Sequence, residues 1–325
     1  MSSSLLSFLV RRSAAAALLI LIVLSLTFFF IHLAPGDPTL VLQDPRLTGE
    51  QREAMRSAYG LDRPLAAQYL SWLRAVVFDA DWGISYVHSR PVTEVIGEYA
   101  LPTLLLAAAG LLVQFGVGLL AGVTAARHAG TSRDYLIRLT AMVLYSLPVF
   151  WTGLMALLLF SYNWSLFPPG HLQAVDAASL SPMGRTLDVL HHLALPALVL
   201  GLAAAGGTAR FTRNSLLEEL GEDYIRTARA KGLSENRIVW IHALRNAAAP
   251  ILQLFGLSLP LLLSGALVVE VVFSWPGLGR LTFDSILSRD YPVVLATTAL
   301  TGVLVVVGNL LVDLLHGVTD PRVRQ

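Results

Sequence analysis

The residues of this chain that could do chemistry are few, and most exclude a reaction rather than support one. Lys231 is the single lysine, in "DYIRTARAKGLSENR", Asp223 to Arg237, beside Arg226, Arg229 and Arg237. A phosphate-cradling loop needs G-x-x-x-x-G-K-[ST], because glycine backbone wraps the phosphates and the lysine reaches the outer ones. Lys231 stands between Ala230 and Gly232, so the chain has no such loop of its own. It also lies outside the apolar stretches, which excludes a cofactor-linked lysine within them. Neither H-E-x-x-H nor G-x-S-x-G occurs, and with no cysteine there is no disulfide, thiolate metal site or cysteine nucleophile.

His191 and His192 are adjacent, a spacing that cannot put two ligands on one helix face, and no carboxylate-rich stretch accompanies them, so no metal site is expected. Glu270 and Asp313 are the two acids within long apolar runs, and an acid in a membrane is by default a functional candidate. Both fall near the ends of their runs, where pairing with an arginine or a helix end is the competing reading. Gln114, Ser258, Ser264 and Asn309 add weakly polar groups. Together these six residues are the candidates for a pathway or gate, one that would be mildly polar and poorly selective.

The elements that must hold these residues are membrane helices. Hydrophobic residues make up 55% of the chain and charged ones 14%, against roughly 25% charged in a soluble domain, and the mean hydropathy is +0.64. Six stretches are long and apolar enough to cross a hydrocarbon core, which takes roughly 20 helical residues: about 13–33, 101–126, 136–161, 192–210, 249–273 and 292–315. The first is too long for a signal-peptide core and is followed by "HLAPGDP", a poor cleavage site, so it is expected to be retained. Pro148, Pro196, Pro250 and Pro260 should kink or end helices.

Six spans place both termini on one side. The N-terminus, the 127–138 loop, 210–248 and the C-terminal tail carry 14 basic and 7 acidic residues, the other loops 9 and 13. The positive-inside rule makes the first group, and both termini, cytoplasmic. The net charge of +1 gives no support to a nucleic-acid partner.

Outside, 34–98 reads as two short surface helices, one opened by a Thr48–Gln51 capping box and one in "PLAAQYLSWLRAVVF" with Leu65, Tyr69, Trp72 and Leu73 on one face. A plain tether is the alternative. Pro168, Pro169, Gly170 and Pro182 mark 162–191 as a second loop, and 274–291 as a third carries a Pro-Gly turn and a short helix near Leu281, Ile286 and Leu287.

The Asp223–Arg237 stretch reads as a short helix with Asp223 as N-cap, stopped at Gly232, then a second helix capped by Ser234 and running into the fifth span. Such short helices need something to pack on. Tyr224, Arg226, Thr227, Ala228, Arg229 and Lys231 mix small, aromatic and cationic groups, which suits a protein interface. Anchoring to lipid headgroups is the alternative, but Glu218, Glu219, Glu222 and Asp223 would be repelled by an anionic surface.

Several long motifs in order resemble one family: "APGDP", "YGLDRPLAAQYLSWL", "DYIRTARAKGLSENRIVWIHALRNA", "VEVVFSWPGLGRL" with "RDYPVV", and "NLLVDLLHGVTDPRVR". The chain resembles the membrane permease subunits of ABC importers of the dipeptide/oligopeptide/nickel branch over nearly its whole length. Gly232 and Ala228 match the cytoplasmic EAA-loop signature. Arg226 and Thr227 stand where the general pattern has Glu and Ala, and His242, Leu244 and Arg245 depart from its ending, as in the peptide/nickel branch.

The resemblance implies an all-α membrane protein of the type I importer fold. Its parts are a cytoplasmic N-terminus and first helix (1–33), an external segment (34–98), a five-helix core (99–318) with a coupling loop at 211–248, and a tail (319–325). It further implies a second homologous permease subunit, two cytoplasmic ABC ATPases that hold the ATP and magnesium, and an external substrate-binding protein. The chain itself then carries no cofactor and is no enzyme. Asp223, Tyr224, Arg226, Thr227, Ala228, Arg229, Lys231 and Gly232 become the ATPase-coupling residues. Peptides are the expected cargo, with nickel, haem, glutathione or oligosaccharide as alternatives, and an ion-gradient-driven secondary transporter is the rival class.

Overall fold

The computed structural model describes residues 3–33, 48–50, 53, 57, 60 and 62–319, and of 3–13, 249, 252–253, 259–265 and 309–319 the backbone alone. Gln51, half of the expected capping box, and "APGDP" lie outside the described residues. The named helices are α1 (Ser3–Leu33), α2 (Leu65–Phe78), α3 (Val92–Arg127), α4 (Ser132–Ser146), α5 (Val149–Ala156), α6 (Pro182–Leu220), α7 (Asp223–Ala230), α8 (Leu244–Val272), α9 (Leu278–Leu287) and α10 (Tyr291–Thr319). Among the described residues no strand forms beyond a single bridge between Ile84 and Pro91.

Within α1, α3, α6 and α10 lie four segments long and apolar enough to cross a membrane, and α4 with α5 makes a fifth if counted as one bent span. The fifth expected span, 249–273, falls on α8, whose 29 residues reach about 43 Å at 1.5 Å per residue. Two expectations need correction. The third span is not one helix over 136–161: it breaks before Pro148, whose ring denies a helical conformation to Leu147, and turns by 101° into α5 and its π-helical continuation, Leu157–Asn163. The fourth begins at Pro182, not 192. Ser181 caps it by accepting from Gly184 N at 3.1 Å, and proline at the first helical position has no N–H to waste.

The chain divides into two compact units, residues 1–101 with 277–306, and 102–276 with 307–325. In the first, α2 lies against α1 through aromatic contacts. Tyr69 and Trp72 each approach Phe28 at 5.3 Å between ring centres, and Tyr69 Oη shares a 2.7 Å hydrogen bond with Ser25. Asp290, just ahead of α10, is fully buried and accepts from Tyr86 N (3.1 Å), Val87 N (3.2 Å) and the Ser85 hydroxyl. That buried carboxylate fastens the 83–91 loop where α10 begins.

In the second unit α3 and α6 approach along a seam of glycines. A Cβ on Gly122 would stand 2.6 Å from the Ala209 carbonyl oxygen, and one on Gly118 2.6 Å from Thr208 Cβ. Close backbone approach of this kind supplies packing energy where the surrounding lipid is as apolar as the helices. Gly206 makes the same approach to α4, its Cβ position 2.3 Å from the Ala141 oxygen.

Candidate functional site

The segment 221–248 of the second unit forms two helical arms around a glycine. Glu222 is extended (φ −71°, ψ 152°) and α7 follows it. The N-cap is therefore Glu222 and not Asp223, as the sequence suggests. Asp223 sits in the first turn, where the helix dipole favours an acid, and its carboxylate is engaged by Arg226 Nη1 at 3.0 Å. Gly232 closes the helix at φ +75°, a left-handed conformation that suits glycine, with Gly232 N bonded to the Arg229 oxygen at 2.9 Å. Ser234 is extended again and starts the second arm. This arm runs through Glu235–Arg237 and the π-helical Ile238–Ala243 into α8.

The two faces of α7 differ in kind. Ile225 (0% exposed) and Ala228 (8%) are three apart and enter a cluster with Val123, Leu216, Ile238, Val239 and Ala247. Ala228 therefore packs on its own bundle. Its small side chain lets α7 lie close to its own bundle, and Ile225 also faces inward. The remaining sequence candidates, Asp223, Tyr224, Arg226, Thr227, Arg229, Lys231 and Gly232, are exposed together.

Most charges on this outer face are answered within the chain. Besides Arg226–Asp223, Arg229 grips Glu235 across the glycine at 2.8 and 3.4 Å, which holds the Glu235 carboxyl below its usual range. Tyr224 Oη donates to Glu219 at 2.5 Å, and partial burial together with that carboxylate raises the phenol's pKa. Lys231 makes no ion pair among the described residues.

A buried ion pair elsewhere in the same unit was not visible in sequence. Asp134, fully buried in the first turn of α4, receives both Nε and Nη2 of Arg213 on α6 at 2.7 Å, with Gly130 N at 3.0 Å and Arg138 at 3.2 Å. An acid among the basic residues of the 127–138 loop was the one available hint. Its partner lies 79 positions away.

Three of the six pathway candidates have described side chains, and all three are buried and hydrogen-bonded. Gln114 Nε2 donates to Thr208 Oγ1 (3.0 Å) and Ser258 Oγ (2.9 Å), joining α3, α6 and α8 in a buried knot. Glu270 is fully buried and accepts from Thr103 at 2.7 Å, and nearby Trp275 Nε1 donates to the Pro102 oxygen at 3.0 Å. The side chains of Ser264, Asn309 and Asp313 lie outside those described. His191 Nε2 and His192 Nδ1 are each taken up by a backbone carbonyl, Leu166 and Asp188, at 2.8 Å.

Comparison with known proteins places this geometry. Residues 118–325 match the family model described as the binding-protein-dependent transport system inner membrane component, and residues 5–106 match its N-terminal companion model. The chain is 39% identical over 318 residues to the oligopeptide transport system permease protein AppB of Bacillus subtilis, covering 98% of this chain and 99% of that one. It is likewise 39% identical to the dipeptide transport system permease protein DppB of Escherichia coli K12, with the same coverage. To the glutathione transport system permease protein GsiC of Salmonella paratyphi A it is 39% identical over 92% of each chain. Among solved structures, a chain of the inward-facing MetNI methionine ABC transporter superposes with a TM-score of 0.57 at 16% identity, over 70% of this chain and 97% of that one, a likeness of fold.

Proposed function

This chain belongs to the family of binding-protein-dependent transport system inner membrane components, and we propose that it is the permease subunit of an ATP-driven importer of short peptides. It is a multi-pass membrane protein that carries out no reaction. ATP and magnesium are held by a pair of separate cytoplasmic ATPases. A second homologous permease completes the pathway, and an external binding protein delivers the cargo. Both termini and the 221–248 segment face the cytoplasm, in keeping with the excess of Arg and Lys on that side.

The observation that carries the reading is the two-faced α7. Its apolar side is fixed to the membrane bundle by Ile225 and Ala228, and its polar side is presented outward ahead of a left-handed glycine. A helix held in this way transmits displacement: a push on Tyr224, Arg226 and Thr227 moves Ile225, and with it Leu216 on α6 and Val123 on α3. Closure of the ATPase pair shifts the bundle between inward- and outward-open states only if nucleotide favours one of them, and a near-complete shift takes about 5.5 kcal/mol of preference. Gln114, Ser258 and Glu270 then act as joints between the moving helices. Ser264, Asn309 and Asp313 remain candidates for the pathway wall.

Peptide cargo is supported by two relatives whose names state oligopeptide and dipeptide transport, and a glutathione relative keeps a peptide-like alternative in view. The test is uptake of a radiolabelled dipeptide by cells expressing the importer with Tyr224→Glu and Arg226→Glu together. Uptake and ATPase co-purification should each fall more than tenfold while membrane insertion is unchanged; unaltered values would overturn the coupling role. Uptake that persists after ATP depletion and stops with a protonophore would point instead to an ion-gradient transporter.

A further inference from the structure

The first unit holds a cavity of about 320 Å³, within the size range of small-ligand sites and outside the residues assigned to coupling or pathway. Its floor is aromatic. His32 stacks on Phe28 at 4.0 Å between ring centres and lies 4.8 Å from Tyr291, and Trp72 closes the same wall. The Trp72 indole Nε1 is buried without a hydrogen-bond partner among the described residues, a donor left unused. Two exposed residues of opposite charge, Arg63 and Asp81, also line the cavity. Arg63 makes no ion pair among the described residues, and Asp81 accepts Gly83 N at 2.8 Å with one carboxylate oxygen.

We propose that this cavity binds a short zwitterionic peptide bearing an apolar side chain. The guanidinium of Arg63 suits the terminal carboxylate, which it can hold through two parallel hydrogen bonds. The second carboxylate oxygen of Asp81 suits the terminal ammonium. The aromatic floor takes the apolar side chain, and Trp72 Nε1 donates to a peptide carbonyl, satisfying the buried group. A folded protein does not fit this volume, and a purely apolar ligand would leave Arg63, Asp81 and the indole donor unanswered. The choice of a peptide over another zwitterion rests on the importer reading above, but the site is built from residues of the first unit, none of them on α7, and needs neither ATPase nor binding protein.

The test is equilibrium dialysis of radiolabelled Ala-Phe against the purified full chain in nanodiscs, with no other subunit present. Binding should weaken about tenfold in Arg63→Ala and in Asp81→Asn, both exposed positions whose replacement spares the fold. It should weaken as much for N-acetyl-Ala-Phe-amide on the unaltered protein. A fluorescence change of the native tryptophans on binding should be reduced in Trp72→Phe. No binding of Ala-Phe, or equal binding of the blocked peptide, overturns the site. Loss of peptide uptake in cells on deleting the chain would leave the importer reading standing in either case.

Discussion

Asp134 and Arg213 meet through two parallel hydrogen bonds, each 2.7 Å, with the carboxylate fully buried. Removing one member of such a pair strands the other in a poorly solvating place, at about 3–5 kcal/mol. Arg213→Ala and Asp134→Ala should therefore each lower the thermal unfolding midpoint in detergent strongly. The double replacement Asp134→Leu with Arg213→Met should recover much of the loss, because no charge is then left unpaired.

Gly232 tests backbone conformation apart from space. A Cβ there would meet nothing within 4 Å, yet φ is +75°. Gly232→Asn should be nearly neutral and Gly232→Val should cost about 1–2 kcal/mol locally, since asparagine tolerates the left-handed region and a β-branched side chain does not. Amide exchange across 223–237 reads this directly, with faster exchange expected for valine alone.

Thr227 and Ala228 are neighbours with opposite surroundings. Ala228→Phe should destabilise the chain by about 1–3 kcal/mol through overpacking against Leu216 and Ile238. Thr227→Phe should leave the unfolding midpoint unchanged and reduce co-purification of the ATPase. Equal midpoints for the two variants would contradict the assignment of faces.

Glu235 titrates below its ordinary 4.5 because Arg229 holds its ionised form. A depressed carboxyl contributes stability that is fully present above the ordinary value and is lost as pH falls through the depressed one. Exchange protection at Gly232 should accordingly be flat from pH 8 to 5 and fall on further acidification, and Arg229→Gln should remove the step. Both side chains are about half exposed, so added salt should weaken the effect.

Gly122→Ala should impair folding more than Gly116→Ala, although both lie in α3. The first forces its Cβ to 2.6 Å from the Ala209 oxygen, and the second meets nothing within 4 Å. Yield of monodisperse protein and unfolding midpoint are the measurements.

What could be read from sequence followed from periodicity and from punctuation by single residues. Apolar length located most of the spans, Gly232 marked the end of α7, and the repeat of Leu65, Tyr69, Trp72 and Leu73 placed the inward face of α2. The inward face of α7 was not legible, because Ile225 and Ala228 look as suitable for a partner as for the bundle. Nor were the pairs Asp134–Arg213, Ser85–Asp290 and Gln114–Ser258, which join positions 79, 205 and 144 apart and leave no local pattern. Pro182 misled in the other direction: a residue that usually marks a loop opens a helix when serine precedes it.

The self-paired charges of α7 have a consequence for how fast anything finds it. With Arg226 answered by Asp223 and Arg229 by Glu235, and with exposed Glu222 and Lys231 opposite in sign at the two ends of α7, this helix has little net charge to offer. Long-range attraction speeds encounter only where a surface has net charge to offer. A protein seating on this face therefore arrives by ordinary diffusion and is selected by fit, so the joint should form slowly and tolerate wide changes in ionic strength once made.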